Sequence, residues 1–146
     1  MSTIRTSNGA QETSRALASM SEEIERSREI LSLAEDWDGE GSAAFLEDTW
    51  NRVRDFLWNQ AKAYWEQHHR AIDCPRIEPG PNGSIDIHWK TDSAELLINV
   101  PVNRNKSLSF YGDTKAGSHI KGSLKDSDYK QAMWLWLQDE SPNLGK

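Results

Sequence analysis

Apolar positions recur along this chain with two different periods, and the change of period divides it. Leu17, Met20, Ile24, Leu31 and Ala34 follow one another at three-, four- and seven-residue steps, the spacing of one helix face. Ser21, with Glu22 and Glu23 behind it, predicts where the regular part of that helix starts, with acids near the positive end of its dipole. Asp38-Gly39 and Glu40-Gly41 break it. Leu46, Trp50, Val53, Leu57, Ala61 and Tyr64 then form a second stripe, on a helix of about twenty residues. The two helices are expected to pack as a hairpin around residues 35–48.

Beyond that hairpin the period shortens to two. Pro75, Pro79, Pro81 and Gly83 mark turns. In SIDIHWK, Ile85, Ile87 and Trp89 alternate with Asp86, His88 and Lys90, the signature of a half-buried strand. ELLINVP repeats it with Leu96, Ile98 and Val100. SLSFY contributes Leu108 and Phe110, and HIKGSL contributes Ile120 and Leu124. Short strands joined by short turns predict an antiparallel meander. Asp126, Ser127 and Asp128 open a last helix, with Tyr129, Ala132, Met133, Trp136 and Leu137 on one side. The fold class is therefore α+β: an N-terminal helical hairpin, a meander of three to five strands and a C-terminal helix. Residues 1–12 are expected to be a disordered polar tail, 13–140 a single domain and 141–146 a C-terminal tail.

Composition sharpens this picture in two respects. Only 36% of the 146 residues are hydrophobic, yet seven are tryptophan, so a few large rings, each burying about 150–250 Å², must carry much of the core. The formal charge of −6 opposes sequence-independent binding of nucleic acid, which needs clustered cations, and suits a protein partner with basic character. Cys74 is alone, so no disulfide forms within the chain and a reducing cytoplasm fits best. No secretory signal or membrane span is read, and no cofactor motif is present.

The stretch EDWDGEGSAAFLED, residues 35–48, nearly has the spacing of a helix-flanked calcium loop. Asp36, Asp38, Glu40, the Ser42 carbonyl and Glu47 would supply oxygens, with Gly41 at the sharp turn. Against it, Glu40 replaces a shorter ligand, Ala43 stands where a β-branched residue pairs two such loops, and Trp37 crowds the first ligand. The preferred reading is a structural corner. Asp38 accepts hydrogen bonds from its own turn, Gly39 and Gly41 take positive φ, and Trp37 folds back as an apolar plug.

WDGEGS, followed by PRIEPGPNGSIDIHW, resembles a family of small uncharacterised bacterial and prophage proteins. Those carry a Trp-Asp-Gly-x-Gly motif at a helical hairpin, then Pro-x-Ile-x-Pro…Gly-x-Ile-x-x-x-Trp leading into a β meander. The matching positions are Trp37, Asp38, Gly39 and Gly41, then Pro75, Ile77, Pro79, Gly83, Ile85 and Trp89, within residues 28–112. Ala43-Ala44 departs from the pattern, where relatives place a proline. The resemblance implies the fold and a mobile-genome setting, and it transfers no activity.

Further constellations each have a plainer structural counterpart. His88 and His119, with Asp86 and Tyr111, would form a general-base cluster if their strands paired suitably; otherwise they decorate a solvated sheet face. Arg104, Lys106, Lys115, Lys121 and Lys125 with Tyr111 interleave charge and aromaticity as nucleic-acid strands require, or simply guard a hairpin edge. Glu22, Glu23 and Glu25, and Glu35, Asp36, Asp38 and Glu40, are acidic faces available to a basic partner. Trp58 and Trp65, seven residues apart, share one flank of the second helix. That flank packs under the C-terminal helix, forms a homodimer seam or meets a partner, with Trp65 expected in the core and Trp58 partly exposed. The mobile-genome setting that the resemblance implies points to a non-catalytic inhibitor of anti-defence, antitoxin or immunity type. Its protein partner would be held through Trp58, Glu22, Glu25, Glu35, Asp36 and Glu40. An enzyme using His88 and His119 and a calcium module at residues 36–47 are the alternatives.

Overall fold

A computed structural model describes residues 17–138 of the chain; the expected tails at 1–12 and 141–146 lie outside them. Helix α1 covers residues 17–26 and tightens into a 3₁₀ turn at Ser27–Ser32. Helix α2 runs Glu47–His68. Five strands follow, β1 (Arg76–Pro79), β2 (Ile85–Lys90), β3 (Ala94–Val100), β4 (Leu108–Thr114) and β5 (His119–Leu124), and then helix α3 (Gln131–Leu137). The strands form one antiparallel sheet in sequence order. This is the α+β arrangement that the two periods predict.

Alternation sorts the sheet into two faces. Ile77, Ile85, Ile87, Trp89, Leu96, Ile98, Val100, Leu108 and Leu124 are buried with the apolar faces of the helices. Trp89 meets Trp134 of α3 edge to face at 5.1 Å, and its indole N–H donates to the Asp73 carbonyl at 2.7 Å. Phe110 and Ile120, nearer the β5 edge, are only half-buried.

Several boundaries differ from the sequence reading. α1 is already helical at Leu17, not from Ser21. The 3₁₀ turn shifts its inner side to Ser27 and Ile30, so Leu31 is half-buried and Ala34 exposed. Ser27 is held there by two bonds, donating to the Ile24 carbonyl at 2.6 Å and accepting the Trp50 indole N–H at 2.9 Å. Leu46 is the N-cap of α2 and 53% exposed, so the buried stripe begins at Thr49 and Trp50. α3 starts at Gln131 rather than near Asp126, because Asp126 is drawn to Arg52 and residues 125–128 form a turn. Its fully buried ring is Trp134, while Ala132 is exposed.

Arg52 and Gln60 are buried polar residues that the apolar stripe conceals. Arg52 forks onto both oxygens of Asp126 at 2.7 and 2.8 Å and donates to the carbonyls of Pro101, Asn103 and Lys106. One side chain thereby ties α2 to the β3–β4 loop and the turn before α3. Gln60 donates to the Asp128 carbonyl at 2.7 Å and accepts the Trp134 indole N–H at 2.8 Å.

Pro75 and Pro79, expected at turns, instead flank and end strand β1, and its place in the sheet explains them. Gly80 donates its N–H to the Ser84 carbonyl at 2.8 Å. Bonded pairs alternate along an antiparallel ladder, so Arg76 and Glu78 bond to β2 while Pro75, Ile77 and Pro79 face outward. Proline has no N–H to offer. Ile77 has one, and Glu23 accepts it at 2.8 Å while Arg26 donates to the Ile77 carbonyl at 2.7 Å. The Pro-x-Ile-x-Pro segment is therefore a closed sheet edge.

Candidate binding surfaces

The loop at residues 35–48 is built around its own backbone. Asp38 accepts the Glu40 N–H at 2.9 Å and the Ser42 hydroxyl at 2.6 Å, and these bonds hold its carboxyl below the usual aspartate range. Asp36, at φ +61°, accepts the Gly41 N–H at 2.6 Å and donates its own N–H to the Ser42 carbonyl. Gly39 and Gly41 have φ of +75° and +81°. Oxygens proposed as calcium ligands thus serve as turn acceptors, and Glu47 sits in the first turn of α2. Among the described residues no three His, Cys, Asp or Glu side chains are grouped to hold a metal ion. Trp37 does not plug the core; it is 36% exposed and leans on Phe45, whose buried ring takes that place. The two halves of the resemblance meet in space. A Cβ on Gly83, at φ +77°, would lie 3.5 Å from the Ala44 carbonyl oxygen.

The flank of α2 bearing Trp58 and Trp65 faces α1 rather than α3. Both indoles are half-buried: Trp58 is partly exposed as expected, whereas Trp65 is not in the core. With Leu17, Ser21, Lys62 and Glu66 they line a hollow of about 420 Å³. Trp58 also borders a second hollow of about 200 Å³ with Ile24, Glu25, Arg54 and Asp55. Ser21 and Trp58 are common to both, so Trp58 stands as the ridge between them. Glu22 is exposed beside Ser21, and Glu25 is exposed and paired with Arg28 at 3.3 Å. Glu23 turns inward to β1; burial raises its pKa, but Arg26 and the Ile77 N–H outweigh that and leave it lowered. Glu35 and Glu40 are exposed on the loop, and no described bond or shared hollow links them to Trp58.

No described element covers the other face of the sheet. Register places His88, Leu97, Tyr111 and Lys121 in one cross-strand row and Lys90, Glu95, Asp113 and His119 in the next. Leu97 and Tyr111 are 39% and 49% exposed. His88 bonds Glu95 at 2.8 Å, and His119 bonds Asp113. Bonds from His119 and Tyr111 lower the Asp113 pKa, and the same Asp113 contact raises that of Tyr111. Asp86 is occupied by Asn99. The histidines lie three strand spacings apart, roughly 14 Å, each with its own carboxylate, so the structure does not bring them into one cluster. Of the basic series, Arg104 is paired with Asp48 at 2.7 Å. Cys74 is exposed as a residue, but partial burial of its thiol, with Glu23, Glu22 and Asp73 nearby, pushes the thiol pKa up.

Comparison with protein-family models, with curated proteins and with solved structures finds no match to this chain. No described helix is long and apolar enough to cross a membrane.

Proposed function

We propose that this chain is a non-catalytic binding protein that uses the Trp58 ridge to hold a protein partner. The observation that carries the reading is the ridge itself, a half-buried indole standing between two hollows on the α1–α2 surface. Tryptophan in such a setting is the side chain most enriched among energetic anchors of interfaces. Its rim carries both signs, Glu25, Asp55 and Glu66 beside Lys62 and Arg54, so the indole rather than net charge is the main anchor, with Glu25 as a rim contact to a partner cation. The motif resemblance to prophage proteins supports an inhibitor's role, of anti-defence, antitoxin or immunity type, in the cytoplasm of a bacterium.

The test compares the parent chain with Trp58→Ala and Glu25→Lys as baits in a bacterial lysate. A partner held by the parent should be lost by both variants, retained by Trp37→Ala, and inhibited in its own activity by stoichiometric purified chain. Trp58→Ala should weaken binding by at least about 2 kcal/mol with little change in melting. Equal capture by the parent and Trp58→Ala would remove the ridge from the interface. If instead a reaction is found that falls 10²-fold or more in His88→Ala or His119→Ala without unfolding, the general-base reading takes over.

A further inference from the structure

The two edges of the sheet are treated oppositely. Along β1 and the Pro75 before it no outward N–H is left free: Pro75 and Pro79 have none, and Ile77 gives its N–H to Glu23 and accepts from Arg26. On β5 the Thr114 N–H donates to the Ser118 carbonyl at 2.8 Å. By alternation, Ile120, Gly122 and Leu124 therefore bond to β4, opposite Gly112, Phe110 and Leu108. His119, Lys121 and Ser123 point their N–H and C=O groups away from the sheet. Among the described residues no partner takes them, and β5 is the last strand.

Charge singles this edge out as well. Lys121 lies on β5, Lys115 in the turn before it and Lys125 directly after it, and none has an ion pair among the described residues. This is a basic rim on a chain of net charge −6. Pairing two copies of β5 would set these lysines against their own kind, which disfavours a homodimer there. On the inner side the absent side chain of Gly122 leaves the half-buried ring of Phe110 and the half-buried side chain of Ile120 along the edge.

We propose that β5 accepts an extended acidic segment of a partner protein as a sixth strand. Main-chain bonds to His119, Lys121 and Ser123 would provide affinity. Alternate acids would lie beside Lys121 on the outer face, and the intervening apolar side chains beside Ile120 and Phe110 on the inner one. The site is independent of the Trp58 ridge.

The experiment follows backbone amide exchange by NMR while a capped heptapeptide alternating Glu and Val is titrated in. Exchange at His119, Lys121 and Ser123 should slow at least about tenfold, while Ile120, Gly122 and Leu124, already bonded, change little. The effect should weaken with salt and vanish when Lys replaces Glu in the peptide. Lys121→Pro removes one outward donor and leaves the β4 ladder intact, so it should abolish protection; Lys121→Glu, which keeps the backbone, should weaken it. Absence of alternating protection at saturating peptide would overturn the proposal. So would equal protection by the Lys peptide, protection by an oligothymidylate instead, or protection that grows with protein concentration alone.

Discussion

The carboxylate of Glu23 accepts the backbone N–H of Ile77 at 2.8 Å across a separation of 54 residues. Arg26 holds the same carboxylate and completes the pair by donating to the Ile77 carbonyl. Since the folded pKa of Glu23 is lowered, its contribution to stability is present above the unfolded glutamate value, about 4.3, and is lost as pH falls through the folded one. Glu23→Gln should therefore melt lower at neutral pH and lose stability less steeply between about pH 5 and pH 3. Glu23→Ala should cost about 1–3 kcal/mol and speed exchange of the Ile77 amide. An unchanged acid dependence in Glu23→Gln would refute this account.

Arg52 tests whether charge or shape matters at a buried clamp. Its guanidinium reaches Asp126 and three carbonyls at once, a geometry that a point-like ammonium does not reproduce. Arg52→Lys keeps the charge and should still lose about 2–3 kcal/mol by denaturant midpoint. Retention of parental stability would mean that charge alone suffices.

Gly112 is required by a close approach rather than by a turn. A Cβ there would fall 2.7 Å from the Trp136 ring and 3.0 Å from the Glu95 carbonyl oxygen. Gly112→Ala should cost about 1–3 kcal/mol through overpacking, and Trp136→Leu should relieve part of it. A double variant no more stable than the sum of the single changes would place the strain elsewhere.

The calcium alternative has a direct optical check, since Trp37 sits inside the loop and is 36% exposed. Its fluorescence should not change on titration to micromolar calcium, because Asp36 and Asp38 already accept from Gly41, Glu40 and Ser42. A saturable change abolished by Glu47→Gln would replace the structural corner with a metal loop.

Periodicity alone prescribes much of this molecule. The stripe of Trp50, Val53, Leu57, Ala61 and Tyr64 and the alternation through Ile85, Ile87 and Trp89 are local consequences of 3.6- and two-residue repeats, and each lands on the buried side. Asp38, Gly39 and Gly41 are legible for the same reason, because a turn's bonds close within a few residues. Arg52 and Gln60 left a fainter trace: they share the spacing of the buried stripe, but their carbonyl and carboxylate partners lie 49–74 residues away. Leu46 and Trp37 look apolar enough to bury, yet helix start and loop path leave them at the surface. The split of the histidines and the contrast between a closed β1 and an open β5 depend on strand order and register, which pair residues far apart in sequence. Those pairings exist only once the sheet has formed.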